Sequence, residues 1–369
     1  MKIISLFNNK GGVGKSTLAF HLSNILAEIG HKTLIIDLDP QCNVTICGMD
    51  EEALHNIWTE EDEFIEDFDS SVKKMPQGNY DALLRRPRTI HFLLKPAEDG
   101  QGELPTTPPP VTLSNNLDLI PGRLTIHRYE NKISQRWSDA YSGESLSIRT
   151  ITNIRTIAEE YATIYNYEYV IIDTSPSLGA LNKVIISTVD GFVVPALPDM
   201  FSMYGIRNIG NALQQWKKEF DVIYGLISKD KRKKFPQNFV RFLGYTIYNA
   251  KKYAGKSNND WDLAQAHFNY AKLIPQTIEQ FISPEVRNHL TNEQVNSPIG
   301  LTAVMHSHNT LPNMAQKYKR PIWQIPNLQN LDPADKSTIM GNQASYEGTR
   351  AKYIEFANSF VERVNTLNQ

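Results

Sequence analysis

Eight residues, Lys10 to Thr17 (KGGVGKST), stand directly between the apolar run Ile3 to Phe7 and the segment LAFHLSNILAEI. A glycine-rich turn between a buried strand and a helix start offers successive backbone N–H groups, and the positive end of the helix, to an anion. The junction therefore dictates a strand–loop–helix unit that holds phosphate. Gly11, Gly12, Val13 and Gly14 supply the loop, and Lys15 is placed to reach β and γ phosphates. Ser16, followed by Thr17, is placed to bring its hydroxyl to Mg²⁺. The general pattern G-x-x-x-x-G-K-[ST] is not met in full, because Asn9 occupies the position of its first glycine and Lys10 adds a second cation.

Two further segments meet the requirement that a phosphoryl-transfer site draw carboxylates from neighbouring strand ends. TLIIDLDPQ (Thr33 to Gln41) is a short β-branched run closing in two aspartates and a proline. YEYVIIDTSPSLG (Tyr167 to Gly179) is another apolar run, closed by Asp173 and a polar, proline-bearing loop. Both read as parallel strands meeting loops at their carboxyl ends. Either alone is a common pattern, whereas three such motifs in order constrain one another.

Together the motifs resemble those of the ParA and MinD superfamily of ATPases, with their deviant phosphate loop, and the ParA/Soj-like partition ATPases most closely. The resemblance covers roughly residues 1–45, 116–210 and a looser C-terminal third. It implies a doubly wound α/β fold, with a mostly parallel sheet and helices on both faces, in a single P-loop ATPase domain spanning 1–369. ATP and Mg²⁺ are the implied cofactors. By the same resemblance Ser16 and Asp173 hold the metal, Asp39 orients the attacking water, and Asn43 sits near the γ phosphate. Lys10 reaches the ATP of a second subunit, so that ATP joins a homodimer, and Lys10, Lys15 and Asp39 are the catalytic set. Turnover is expected to be slow and stimulated by a ParB-like or other activating protein. Thr174 to Ser177 resembles the second switch, and Val189 to Gly205 the next strand and loop. Where relatives usually have glycine after the DPQ triplet, this chain has Cys42. Adenine contacts in relatives point to Asn249, Ile274 and Pro275, although a turn cap and a strand end would explain the same residues.

Composition agrees with these expectations. At 369 residues and 41% hydrophobic, the chain can bury a substantial core as one large or two modest domains. It has no 18-residue apolar run, and it opens on its first strand, so neither a bilayer span nor a cleavable signal is expected. Its cysteines, Cys42 and Cys47, lie before residue 48, which argues against disulfide scaffolding and against an iron–sulfur carrier with paired cysteines in its later half. The expected address is cytoplasmic, nucleoid-associated if DNA is bound, with no stable membrane anchor. A MinD-like membrane ATPase would need a terminal basic amphipathic helix. The last helix instead aligns Ile354, Phe356, Phe360, Val361, Val364 and Leu367 among few, mixed charges, as core packing requires.

Strand and helix patterns alternate at both ends of the chain. A helix is expected over Ser16 to Ile29 and strands over Thr33 to Ile36, at Leu117, at Val170, over Phe242 to Asn249 and over Lys272 to Gln276, with a closing helix from about Tyr346 to Leu367. Residues 48–110 look inserted. From Asp50 to Asp69 every charged residue is acidic, interleaved with Leu54, Ile57, Trp58, Phe64, Ile65 and Phe68. This reads either as a docking surface for a basic partner or as a solvated helical hairpin. ELPTTPPP (Glu103 to Pro110) is too proline-rich for helix or central strand. A second enlargement, 283–309, carries His289, His306 and His308, which read as surface histidines rather than metal ligands.

A net charge of −2 gives no global pull toward nucleic acid, so any DNA contact must come from local patches. One candidate is the run Lys229, Lys231, Arg232, Lys233 and Lys234, followed by Arg241, Lys251, Lys252 and Lys256. Another is Arg350 with Lys352, which resemble basic positions at the start of the last helix in chromosome-surfing relatives. Such contacts would be independent of sequence and steeply salt-dependent; a solvated charged loop is the alternative. No helix-turn-helix precedes the phosphate loop, which argues against operator-specific reading. Two functions follow: an ATPase that hydrolyses ATP to position or segregate DNA or a DNA-bound cargo, or a regulatory or defence-associated ATPase switch that acts on a protein partner without DNA.

Overall fold

Short β-branched runs without polar alternation demand burial on both faces. The computed structural model, which describes residues 1–236, 238–250, 259, 261–301, 305–306 and 310–368, places them in the middle of a sheet. The described strands are β1 (Lys2–Leu6), β2 (Thr33–Asp37), β3 (Val111–Ser114), β4 (Leu117–Ile120), β5 (Tyr169–Asp173), β6 (Gly191–Ala196), β7 (Arg241–Ala250) and β8 (Met305–His306). Their order is β3-β4-β2-β5-β1-β6-β7-β8. Every pairing is parallel except that of β3 with β4, at one edge. Alternate strand residues serve opposite faces. Ile3, Leu34, Ile36, Val170 and Ile172 join one core, and Ile4, Leu6, Ile35 and Ile171 join the other.

Helices Ser145–Tyr165, Ala180–Thr188 and Met200–Leu226 bury their apolar stripes in the first core. Lys15–Glu28 and Gln343–Asn365 bury theirs in the second. This is the doubly wound α/β arrangement expected from the motifs. The closing helix does use Phe356, Phe360 and Val364 for packing. Among the described residues, no helix is long and apolar enough to cross a membrane. The register sets Asp173 beside both Leu6 and Asp37, so the carboxyl ends of β1, β5 and β2 lie side by side.

One expectation is corrected, and two strands add to those expected. Lys272 to Gln276 is not a strand: Ile274–Phe281 is a helix with Pro275 in its first turn, where proline's fixed φ is favourable, and Ile274 and Ile278 enter the first core. The antiparallel β3 and the two-residue β8 were not legible in the pattern. The acidic stretch follows the helical-hairpin alternative, with Glu51, Glu52, Asp62, Glu63, Glu66 and Asp67 exposed to solvent. It forms helices Glu51–Glu66 and Phe68–Lys74, which bury Leu54, Phe64, Ile65 and Phe68.

Several of those acids are met by cations from later in the chain. Glu60 pairs with Arg86 and, at 2.7 Å, with Arg88; Glu66 pairs with Arg128 at 2.8 Å. Arg123 pairs with Asp62 and lies 3.4 Å from Glu61. Glu61 also accepts the Thr89 amide at 2.8 Å and its hydroxyl at 2.6 Å, tying the acidic helix to the start of helix Ile90–Glu98. The prolines that follow run irregularly to β3, as expected.

Burial pushes the Glu61 carboxyl up to about 7, against the opposing pull of Thr89, Arg88 and Arg123. The unfolded chain releases this proton near the ordinary value of 4.5, so between that pH and about 7 the native state binds more protons. Stability therefore falls as pH rises through this window, by on the order of 3 kcal/mol at its upper end. Glu61→Gln is expected to flatten the slope in urea unfolding compared at pH 5 and pH 7.5; an unchanged slope would assign the titration to another group.

Candidate nucleotide site

Gly12 and Gly14 adopt φ of +74° and +82°, left-handed values that side-chain-bearing residues resist. Gly14 is the cap of helix Lys15–Glu28, and a Cβ there would lie 2.3 Å from the Tyr248 ring. No side chain caps this helix start, which leaves its first N–H groups available to an anion. Asn8 holds the loop from beneath, accepting the Lys10 amide at 3.0 Å and donating to Pro195 O at 2.8 Å. Asn249, at φ +57°, donates to Gly12 O at 3.4 Å. Lys15 is buried, with Nζ 3.3 Å from Lys10 O. Burial lowers its pKa, while Asp173 and Asp39 pull the other way.

Asp173 is fully buried, and neither carboxylate oxygen has a hydrogen-bond partner among the described residues. Burial first, and then Asp37, raise its pKa well above the usual carboxylate range; the Ser16 hydroxyl and Lys15 are near enough to oppose them. A buried carboxylate lacking donors costs several kcal/mol unless a cation meets it. With the Ser16 hydroxyl beside it, this is an oxygen donor set that fits Mg²⁺.

Asp37 serves the loop instead. It accepts the Thr45 amide at 2.9 Å, the Thr45 hydroxyl at 2.7 Å and the Asp39 amide at 3.1 Å, and burial nevertheless raises it to about 6. Asp39 accepts the Gln41 amide at 2.9 Å. Cys42 stands at φ +53° as the cap of helix Asn43–Gly48, a left-handed conformation that favours glycine. Its thiol is buried and pushed up, and Cys47 is pushed up to about 12; both are free. Asn43 is exposed at the first position of that helix.

Lys10 forms an ion pair with Asp199, which also caps helix Met200–Leu226 by accepting the Ser202 amide at 2.8 Å. The loop Thr174 to Ser177 is pinned by Thr174 Oγ1 donating to Leu6 O at 2.8 Å, and by Asn182 Nδ2 donating to Ser175 O at 2.8 Å and Ser177 O at 2.9 Å. Asn8, Asn182, Asp199 and Tyr248 escaped the sequence reading. Asp199 alone carried a local signal, as an aspartate directly before a helix.

The remaining candidates separate. Ile274 is fully buried in the core and Pro275 lies in a helical turn, so neither has the expected strand-end setting. Lys231 donates to Gly143 O, and Arg232 donates to Gly225 O at 2.8 Å and Ile227 O at 3.1 Å, while Lys233 pairs with Asp230. Lys229 and Lys234 are exposed. Arg350 pairs with Glu28 at 2.9 Å, and Lys352 is half-buried. Lys251, Lys252, Lys256 and His308 lie outside the described residues. His289 is half-buried, and among the described residues no group of three His, Cys, Asp or Glu could hold a metal.

The AAA domain family AAA_31 matches residues 1–223. An uncharacterized protein of Methanocaldococcus jannaschii is 30% identical over 222 residues, 59% of this chain and 67% of its own. The sporulation initiation inhibitor protein Soj of Bacillus subtilis is 27% identical over 221 residues, 60% of this chain and 68% of its own. The chromosome partitioning protein ParA of Myxococcus xanthus is 27% identical over 223 residues, 59% of each chain. Two relatives from Mycobacterium tuberculosis are matched over only 49% of their length. Among solved structures, protein DIP2308 from Corynebacterium diphtheriae superposes with a TM-score of 0.62 at 21% identity, covering 89% of this chain and all of the other. The pNOB8 ParA protein bound to nonspecific DNA superposes with a TM-score of 0.54 at 17% identity, covering 99% of this chain and 98% of its own. At these identities the two structures testify to the fold.

Gly14→Ala places a methyl against Tyr248 at a left-handed φ. It is expected to weaken binding of a non-hydrolysable ATP analogue by at least about tenfold, which is 1.4 kcal/mol. Adding Tyr248→Ala should restore only part of this, because the φ penalty remains; full affinity in the single variant, measured by calorimetry, would contradict the assignment of this loop.

Proposed function

The chain belongs to the ParA/MinD-like family of P-loop ATPases, and on that premise we propose that it binds ATP with Mg²⁺, hydrolyses it slowly, and uses the bound state as a homodimer that positions DNA or a DNA-bound cargo. The observation that carries the catalytic part is the donor-starved carboxylate of Asp173 beside Ser16, at the strand end adjoining the glycine loop. Ser16 and Asp173 would hold the metal, which when bound would supply positive charge to offset the negative charge of the phosphates.

The loop amides of Gly11 to Thr17 and the Lys15 ammonium hold the phosphates, with Asn43 near the γ end. Asn249, already on Gly12 O, is the favoured adenine-side contact over Ile274 and Pro275. Asp39 spends one oxygen on Gln41 and retains the other to orient water. Lys10 must leave Asp199 before it can reach a second subunit's nucleotide. A ParB-like or other activating protein is the proposed stimulus, and the cytoplasm, at the nucleoid, the proposed address.

The pNOB8 ParA protein was solved on nonspecific DNA. For this chain we assign the same property to Lys229, Lys233 and Lys234, with Arg350 and Lys352 secondary. The switch that acts on a protein without DNA remains the rival; Lys231, Arg232 and Arg350 would have to leave their intramolecular bonds to reach phosphates.

Lys15→Ala is expected to lower ATP affinity by about a hundredfold or more, equivalent to about 2.7 kcal/mol. Lys10→Ala should keep monomer affinity within about threefold yet lose ATP-dependent dimerisation in analytical ultracentrifugation. In parallel, the wild-type chain with ATP and Mg²⁺ should bind a random duplex, with affinity falling by about a thousandfold or more between 50 and 200 mM salt as counterions released by phosphate contacts return. ATP-dependent dimerisation without duplex binding would favour the protein-directed switch; loss of ATP binding in neither lysine variant would overturn the site.

A further inference from the structure

A cleft of about 500 Å³ opens at the amino ends of β1, β6 and β7, the opposite end of the sheet from the glycine loop. Lys2, Arg155, Lys233, Asn238, Arg241 and His289 are among its lining residues. Two carboxylates, Glu159 and Asp190, also face it, and both are engaged. Arg155 donates to Glu159 at 2.7 Å and to Asp190 at 3.0 Å, and the Ile3 amide takes the second Asp190 oxygen at 2.8 Å. Four cations against two carboxylates leave the lining positive.

The cations are poised rather than consumed. The Lys2 ammonium has only a long 3.5 Å contact to Leu367 O, and the acid beside Lys233 is the highly exposed Asp230. A surface pair of that kind contributes little. Arg241 is held in place by Glu285 O at 3.0 Å and Asn288 Oδ1 at 2.9 Å. Both ring nitrogens of His289 are buried with no hydrogen-bond partner at bonding geometry among the described residues. Burial, and then Arg241, lower this imidazole to about 4, with the Phe242 backbone opposing, so it is neutral near pH 7 and offers one N–H donor.

We infer that this cleft is a second, non-catalytic site for a phosphate group, in which Lys2, Lys233 and Arg241 supply charge and His289 supplies a neutral donor. The cleft sets the half-buried Lys2 and Arg241 in its wall and the exposed Lys233 at its rim. Its charges face one another across a partly desolvated space, where an anion shared between them is screened less than on an open surface. The phosphate can come from a free phosphorylated molecule or from the backbone of DNA; the chemistry of the cleft is common to both.

The test is calorimetric titration of the full chain with inorganic pyrophosphate, once saturated with ADP and Mg²⁺ to block the glycine loop, and once as the Lys15→Ala variant. The second arm keeps the result interpretable should the chain fail to bind ADP. One pyrophosphate per chain is expected in both, weakened about tenfold or more by Lys2→Gln combined with Lys233→Gln, with an unchanged urea midpoint to exclude misfolding. Arg241→Lys, which keeps the charge, should retain more affinity than Arg241→Gln. Displacement of pyrophosphate by a 20-base-pair duplex would identify a DNA backbone as the source, and failure to displace it a small phosphorylated ligand. No pyrophosphate heat, or heat untouched by the paired lysine variant, overturns the site.

Discussion

Three aspartates and one lysine share the carboxyl ends of two adjacent parallel strands, and the rest of the site is arranged around that imbalance. Asp37 and Asp173 are register partners, Asp39 follows two residues on, and Lys15 is the one buried cation acting on Asp173. Burial moves all three groups: it raises the two strand-end carboxyls, with neighbouring aspartates adding to the rise, and it lowers the lysine against the pull of Asp173 and Asp39. A triphosphate alone would add negative charge to a pocket already short of cations, so the arrangement favours a nucleotide that arrives with its metal. Asp37 escapes the conflict through three loop donors, whereas Asp173 has no hydrogen-bond partner at bonding geometry among the described residues and only the Ser16 hydroxyl and Lys15 near it. Two carboxylates at equivalent strand positions thus acquire different roles, one shaping a loop and the other waiting for a cation.

The loop that Asp37 shapes is also where the acidic helix makes contact. Thr45 donates its hydroxyl to Asp37 and accepts the Gly122 amide at 2.8 Å. Gly122 O in turn accepts the Trp58 indole at 3.1 Å, and Arg123 donates to Trp58 O at 2.8 Å. Gly122 has no room for a side chain, since a Cβ there would meet Asp37 and the Cys42 sulfur at 3.1 Å. Displacing the Gln41 to Asn43 turn therefore strains a chain of hydrogen bonds that ends in helix Glu51–Glu66. Residues 48–110 are fastened to the nucleotide end of the sheet by polar bonds as well as by their apolar face.

What could be read in the sequence was what is contiguous in it. The glycine loop, the two strand-end aspartates and the parallel sheet each depend on neighbouring residues, and each was legible before any coordinates. The acidic stretch was legible as a helical pair, but not the pairing of Glu60, Glu61, Asp62 and Glu66 with Arg86, Arg88, Arg123 and Arg128, supplied by later elements that only the fold brings near. Lys272 to Gln276 misled outright. A short apolar run carries no period of its own, and proline that ends a strand equally begins a helix. Cys42 lies between these cases: a non-glycine residue where relatives have glycine signalled something unusual, but only the backbone angle reveals that the turn is left-handed.

Helix Met200–Leu226 carries the argument from one end of the molecule to the other. Its 27 residues span about 40 Å. Asp199, which caps it, holds Lys10 at the nucleotide end, while the basic run from Lys229 begins just beyond its other end. Shortening such a helix would break its backbone hydrogen bonds. Releasing Lys10 from Asp199 removes one of the two groups that Asp199 neutralises or caps, and leaves the Ser202 amide as its remaining partner. The cost falls on the first turn, the least supported part of any helix. Any movement that follows is registered where Gly210 closes on Phe281, because a Cβ at Gly210 would lie 2.3 Å from Phe281 O and the two backbones have no slack. The phosphate loop and the start of the basic run thus lie at opposite ends of one 27-residue helix.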